Sequence, residues 1–413
     1  MADTSSGNSA LLISFGFPPV AVPEAYLSAK SLSFLPDLKL DVLTADPINP
    51  ALSLDQSLNE YVGKGFGKVI RLKKPFGWSH RFARRFPDLH KTPDQYRVLI
   101  PRAVRAACDY GLNDNGILVT WSTWNSAHLV GLRLKQKFPG LFWLAHFSDP
   151  WMGNPYNPLK GKTAKKNQDR QDAVFCAADR LVFTSENAIT HAMRHTSEDI
   201  FSKSLAIPHP FDPSLYGMND VEPPQGPMII RYVGHFYGER KPDGLFFALS
   251  LMQKREPDLL DSFQIEIIGR VSDASKHHPV LNSLPPQSIR FLDPVGYLDS
   301  LYLMKESDGL LVVDAPAQES IFLPSKLIDY VGAGRPILGL SPQGVTQNVL
   351  TQMGYPVAEP NDPEAIYAAL KAFLELCRQR KEPQKAEEIR LKYDVRTVRR
   401  QYNQCLLERT KWK

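Results

Sequence analysis

Short unbroken apolar runs alternate along this chain with longer stretches in which apolar residues recur every three or four positions. A strand buried on both faces needs the first pattern, and a helix lying on a sheet needs the second. The runs Ala10–Phe15 (ALLISF), Leu40–Asp46, Gly67–Leu72, Gly116–Ser122, Phe142–Asp149 and Arg180–Glu186 are therefore predicted strands. Between them, Pro23–Leu35, Pro93–Tyr110 and Ala127–Phe138 have helical spacing, while Leu159–Asp172 reads as a solvated loop and helix start.

The same rhythm starts again after two turn-rich segments, Ile207–Gly217 and Val221–Pro227. Met228–Gly234, Phe263–Gly269, Ser288–Asp293, Gly309–Asp314 and Pro336–Ser341 are the strands of this second series. Helices are predicted over Gly244–Lys254, Tyr297–Glu306, Lys326–Gly332, Val345–Met353 and Pro363–Arg378. Strand–helix alternation of this kind builds a parallel sheet with helices on both faces. The expected fold is α/β, with two doubly wound Rossmann-like domains over residues 1–205 and 206–384. The charged, helix-prone stretch 385–413 is expected to pack back on the first domain.

Composition narrows this picture without redirecting it. A chain of 413 residues, 43% hydrophobic and 23% charged, suits two ordinary globular domains. The cysteines Cys108, Cys176, Cys377 and Cys405 are far apart and form no CxxC pair, which suits buried thiols better than a disulfide frame or zinc site. The polar start MADTSSGNSA lacks a basic segment followed by an apolar one, and no apolar run reaches the roughly 18 residues that span a bilayer. A cytoplasmic protein is expected. A net charge of +5 suits anionic ligands or an anionic surface and is too small to point to nucleic acid.

Ligands of open parallel sheets bind beyond the C-terminal ends of the strands, so chemistry is sought in strand-to-helix loops. In Glu319–Leu340 (ESIFLPSKLIDYVGAGRPILGL) a loop leads into a helix opening near Ser325 and Lys326. Its unpaired N–H groups and positive dipole suit a diphosphate, and Asp329, a turn further on, suits ribose hydroxyls. A capped helix ending on Gly332-Ala333-Gly334 in any α/β protein is the competing reading. No Walker A, HExxH, GxSxG, Asp-x-Asp or metal-ligand cluster occurs, so neither a metal nor another cofactor is expected.

This segment resembles the signature of the retaining GT-B glycosyltransferases, the large bacterial envelope and mannosyltransferase-like family known as glycosyl transferases group 1. Their motif has two acids, the second followed by Tyr-x-Ala-x-Gly-x-Pro. Aligned on Asp329-Tyr330-Val331-Gly332-Ala333-Gly334-Arg335-Pro336, Asp329 is the second acid and Ile321 stands at the first, with Glu319 two residues earlier. Arg231–Leu249 resembles the segment whose two basic residues hold the donor diphosphate, with His235 at the first position and Arg240 at the second. Trp143–Tyr156 resembles the strand end carrying a His near the reacting sugar, which falls on His146, with Asp149 following. The opening Pro18-Pro19 also matches, but Val20–Val22 replace the glycines that usually follow.

The resemblance implies the GT-B architecture, two Rossmann-like domains facing across a cleft. It implies a metal-independent, retaining transfer of sugar from a nucleoside diphosphate sugar to an acceptor hydroxyl on a glycan or lipid-linked glycan. His146, Asp149 and Glu319 would be catalytic, and His235, Arg240, Ser325, Lys326 and Asp329 would bind the donor. His235 would grip phosphate fully only when protonated, which implies pH-sensitive binding. The basic and aromatic run Lys68–Phe86 fits a peripheral contact with anionic lipid at the inner membrane face, single-stranded nucleic acid, or a plain loop over the acceptor; nucleic acid is not the expected partner. A nucleotide-sugar 2-epimerase, or a degenerate glycosyltransferase acting as a binding partner, shares the same features.

Overall fold

The computed structural model describes residues 9–47, 53–73, 92–154, 158–194, 196–217, 226–380 and 382–408. The chain divides into two compact units, Met1–Pro208 with Val398–Lys413, and His209–Thr397. The part of Lys68–Phe86 from residue 74 onward lies outside the described residues.

In the first unit, β1 (Ala10–Ile13), β2 (Asp41–Ala45), β3 (Val69–Leu72), β4 (Ile117–Trp121), β5 (Phe142–Phe147), β6 (Arg180–Phe183) and β7 (Ser204–Ala206) form one sheet. Their order is β3-β2-β1-β4-β5-β6-β7, and every pairing is parallel. Alternate residues feed opposite faces, as strand geometry requires. Leu11, Ile13, Leu118 and Trp143 enter one core, whereas Leu12, Val42, Val119, Trp121 and Leu144 enter the other. Val398, Tyr402 and Leu406, spaced one helical turn apart on the last helix Val395–Leu407, complete the second core.

The second unit repeats the plan with β8 (Met228–Val233), β9 (Phe263–Ile268), β10 (Ile289–Leu292), β11 (Gly309–Val313), β12 (Ile337–Leu340) and β13 (Val357–Ala358). The order is β10-β9-β8-β11-β12-β13, again parallel throughout. In each sheet the direction of strand progression reverses once, between β1 and β4 and between β8 and β11. Loops leaving those strands diverge, and the crevice left at their carboxyl ends is where such sheets bind ligands.

Every strand expected from the apolar runs forms. The sheets also gain β7 and β13, which have three and two residues and no apolar run to announce them. Leu159–Asp172 is helix rather than loop for most of its length: a helix starts within it and spans Gly161–Ala177. Its buried face is partly polar, because Asn167 accepts from the Trp151 indole N–H at 3.0 Å and Gln171 from the Met152 backbone N–H at 3.0 Å. The C-terminal stretch is also two pieces. The helix Gln384–Tyr393 stays with the second unit, and only residues from Val398 belong to the first. The break falls at Asp394, where Phe211 exchanges backbone hydrogen bonds with Tyr393 and Val395 and Asp394 caps Arg396.

Gly332, inside the helix Ser325–Ala333, lets that helix seat against Phe211 and Tyr216. A Cβ there would lie 2.4 Å from Tyr216 Oη and 2.6 Å from Phe211 Cγ. Alanine favours a helix by about 1 kcal/mol over glycine, but overpacking costs about 1–3 kcal/mol. Gly332→Ala is therefore predicted to lower the urea midpoint of the purified protein. A raised midpoint would show that helix propensity outweighs the contact.

Candidate functional site

At the reversal point of the second sheet, β8 ends in Tyr232-Val233-Gly234-His235. Gly234 has φ +146°, and a Cβ there would lie 2.6 Å from Lys326 Nζ, so only glycine leaves room for that ammonium. Lys326 is the second residue of the helix Ser325–Ala333. Its Nζ donates to Tyr232 Oη at 2.5 Å and lies 4.1 Å from the centre of the Tyr232 ring. Tyr330 on the same helix takes the Val233 backbone N–H at 2.8 Å, which pins the helix to the end of β8.

Arg240, also buried, pairs with Asp314 at 3.4 Å and donates to Tyr237 Oη at 3.3 Å. Asp314 follows β11, is 2% exposed, and accepts from the Ser341 hydroxyl at 2.9 Å just past β12. Two basic side chains thus share one interior carboxylate. Burial, then repulsion from Arg240, pushes Lys326 well below the usual ammonium range, and Asp314 only partly opposes this. The helix adds more positive potential. Pro324 stands at its N-cap and has no side-chain oxygen to cap the N–H groups of the first turn.

His235 lies exposed beside this group. Its Nδ1 accepts the Arg270 backbone N–H at 2.9 Å. Burial, then the charges of Arg270 and Lys326, lower its pKa. The cationic His235 invoked from the sequence is therefore disfavoured. The neutral ring keeps Nε2–H as a donor.

Asp329 is 5% exposed, one turn deeper, where its carboxylate accepts from Tyr297 Oη at 3.1 Å and its carbonyl from Tyr216 Oη at 2.6 Å. Glu319 is exposed in the loop after β11. Its neighbour Ser320 is clamped to the next loop by Ser320 N–H to Gln343 O and Val345 N–H to Ser320 O, and Ile321 is buried. The structure thus gathers His235, Arg240, Ser325 and Lys326, sets Asp329 beneath them and leaves Glu319 at the surface. Tyr232, Asp314 and Ser341 went unnoticed in the sequence. The available signal was a polar residue directly after an apolar run, at Asp314 and Ser341.

In the first unit, His146 is not past the strand but within β5, on the face it shares with Phe142 and Leu144. It is 0% exposed and stacks on Trp121, ring centres 3.5 Å apart. Ser148 Oγ donates to Ser122 O at 2.9 Å, so it accepts from His146 Nε2–H at 3.3 Å. Nδ1 is left to accept from Tyr402 Oη at 2.8 Å. A buried ring with both nitrogens engaged supports the sheet end.

Asp149, two residues beyond β5, is partly exposed and acts on a residue the sequence did not suggest. Glu24, second in the helix Pro23–Leu32, is pushed up to about 7. Burial is the larger cause and the Asp149 charge the next; its own backbone N–H and the Thr123 hydroxyl oppose them. Nothing in the local sequence marks Glu24, because its character depends on a residue four strands away in chain order.

No protein-family model matches the chain, and no curated protein does. Solved structures do. Sucrose-phosphate synthase from Thermosynechococcus elongatus aligns over 97% of this chain and 98% of its own, at 16% identity and TM-score 0.66. HepE of Anabaena in complex with UDP aligns over 97% and 99%, at 13% identity and TM-score 0.65. The lipopolysaccharide outer core galactosyltransferase WaaB aligns over 96% and 98%, at 12% identity and TM-score 0.63. The fold is GT-B. In this GT-B chain each sheet's reversal point carries a charged cluster, cationic in the second unit and acidic in the first.

The Glu24 environment has a stability signature. A carboxyl raised from 4.5 to about 7 binds more proton in the native than in the unfolded state between those values. Its contribution therefore declines as pH rises through that window. Wild-type protein is predicted to lose more unfolding free energy between pH 5 and pH 8 than Glu24→Gln, measured by urea denaturation. Parallel pH profiles would contradict the assignment.

Proposed function

We propose that this protein is a glycosyltransferase that moves a sugar from a nucleoside diphosphate sugar to an acceptor hydroxyl. The observation that carries this reading is the pair Lys326 and Arg240, with one shared carboxylate, beside the uncapped start of the helix Ser325–Ala333. An incoming diphosphate supplies the missing negative charge and accepts the first-turn N–H groups. The leaving diphosphate gains charge as the sugar departs, so fixed cations here favour the transition state over the ground state. Lys326 and Arg240 fill the electrostatic role a metal ion has elsewhere.

The neutral His235 adds an Nε2–H donor. Asp329 takes the ribose hydroxyls, its carboxylate oriented by Tyr297. Glu319, exposed in the preceding loop, faces the donor sugar, and transfer proceeds with retention. Asp149 orients the acceptor, and His146 positions the end of β5 on which that loop depends. HepE in complex with UDP, and likewise in complex with UDP-glucose, supports a uridine donor. WaaB, named for a lipopolysaccharide core, supports an envelope glycan or lipid-linked acceptor met at the cytoplasmic membrane face.

Calorimetric titration with UDP, GDP and ADP tests this. UDP is predicted to bind, and Lys326→Met, which keeps the stem and removes the charge, is predicted to weaken it by at least about tenfold. Binding should also take up protons. The depressed Lys326 regains its charge beside the diphosphate, so affinity falls as pH rises and the heat changes with the buffer's ionisation enthalpy. No binding of any nucleotide, or a Lys326→Met protein identical to wild type, would overturn the reading.

A further inference from the structure

Tyr232 is 0% exposed near the end of β8, and Phe236 stacks on its ring, centres 4.1 Å apart and planes 14° from parallel. Its hydroxyl donates to His235 O at 3.2 Å, which uses the one phenolic proton. A lone pair is left to accept from Lys326 Nζ at 2.5 Å. The same Nζ lies over the Tyr232 ring and against the Gly234 backbone, where a Cβ would be 2.6 Å away. Tyr232 is thus fixed by ring packing and by a backbone carbonyl. Lys326 keeps partial exposure and a flexible four-carbon stem, so the lysine is the partner that can move.

A lysine that turns to a diphosphate leaves the Tyr232 hydroxyl, so the two acceptors compete for one side chain. The phenol is a neutral acceptor and the diphosphate a charged one, so the diphosphate prevails while it is present. When it leaves, the hydroxyl is in place to take Nζ back. Resting on the glycosyl-transfer reading above, we propose that Tyr232 is a positioning residue that holds Lys326 between turnovers and competes with the bound diphosphate for it. It acts on the diphosphate only through Lys326. Its effect is to keep the product nucleoside diphosphate from binding too tightly to leave. Release of product limits turnover in many enzymes, and an internal competitor weakens the hold on product without removing the charge that stabilises the leaving diphosphate.

Tyr232→Phe keeps the ring, the stack on Phe236 and the ring face under Nζ, and removes only the hydroxyl. Calorimetric and stopped-flow titration of the full chain with UDP tests the proposal. Losing one hydrogen bond from the resting state should tighten UDP binding about three- to tenfold, chiefly through slower dissociation. In a Lys326→Met background the same change should leave UDP affinity where Lys326→Met alone puts it, because the side chain under competition is gone. A Tyr232 that served only to support the strand end would instead weaken binding in both backgrounds. UDP binding to Tyr232→Phe no tighter than to wild type, or a tightening that persists with Lys326→Met, would overturn the proposal. Wild-type protein that binds no nucleotide sinks the glycosyl-transfer reading itself, so the two failures are read from different samples.

Discussion

Setting a lysine and a buried arginine against one interior carboxylate costs free energy, because their charges are only partly matched, and the second unit is organised around that imbalance. Lys326 leans on the Tyr232 hydroxyl and ring, Arg240 on Asp314, and Asp314 on Ser341. Hydrogen bonds of this kind lower the desolvation cost but leave Lys326 held well below the ammonium range. The parallel sheet makes the arrangement achievable. It delivers Gly234, Asp314 and Ser341 from three adjacent strand ends, and the Tyr330 tether to Val233 fixes the helix that brings Lys326.

The first unit uses the same topology for the opposite charge. Its reversal point presents Glu24 and Asp149, with Thr123 and Trp124 from the intervening loop. The strand behind them is braced by the stack of His146 on Trp121 and by Tyr402 from the last helix. Tyr402 is fully buried, so the final helix is a structural part of the unit whose first strand lies near the start of the chain. Basic residues at one reversal point and acidic residues at the other come from one fold, applied twice with different loop residues.

Most of the fold was legible because parallel strands buried on both faces advertise themselves as apolar runs. The exceptions are instructive. The short edge strand Ser204–Ala206 has no such run, and the helix Gly161–Ala177 is anchored by Asn167 and Gln171, which periodicity counts as surface residues. In the second unit, the sequence placed Ser325, Lys326, Arg240 and His235 in strand-to-helix loops, and the structure gathers them at the end of β8 and β11 because a parallel sheet brings those loops together. His146 lies inside β5, and strand parity, not nearness to the strand end, turns its ring onto Trp121. Glu24 was invisible, since a carboxyl acquires an unusual pKa only through the neighbours that folding supplies.

The central claim is that the Lys326–Arg240 pair at the end of β8 and β11 waits for a diphosphate. A crystal structure of the full chain grown with UDP tests it most directly. The account predicts phosphate oxygens on the Ser325 and Lys326 amides, with Lys326 Nζ and the Arg240 guanidinium turned to them. UDP found elsewhere, with Lys326 still on Tyr232 and Arg240 still on Asp314, would contradict it.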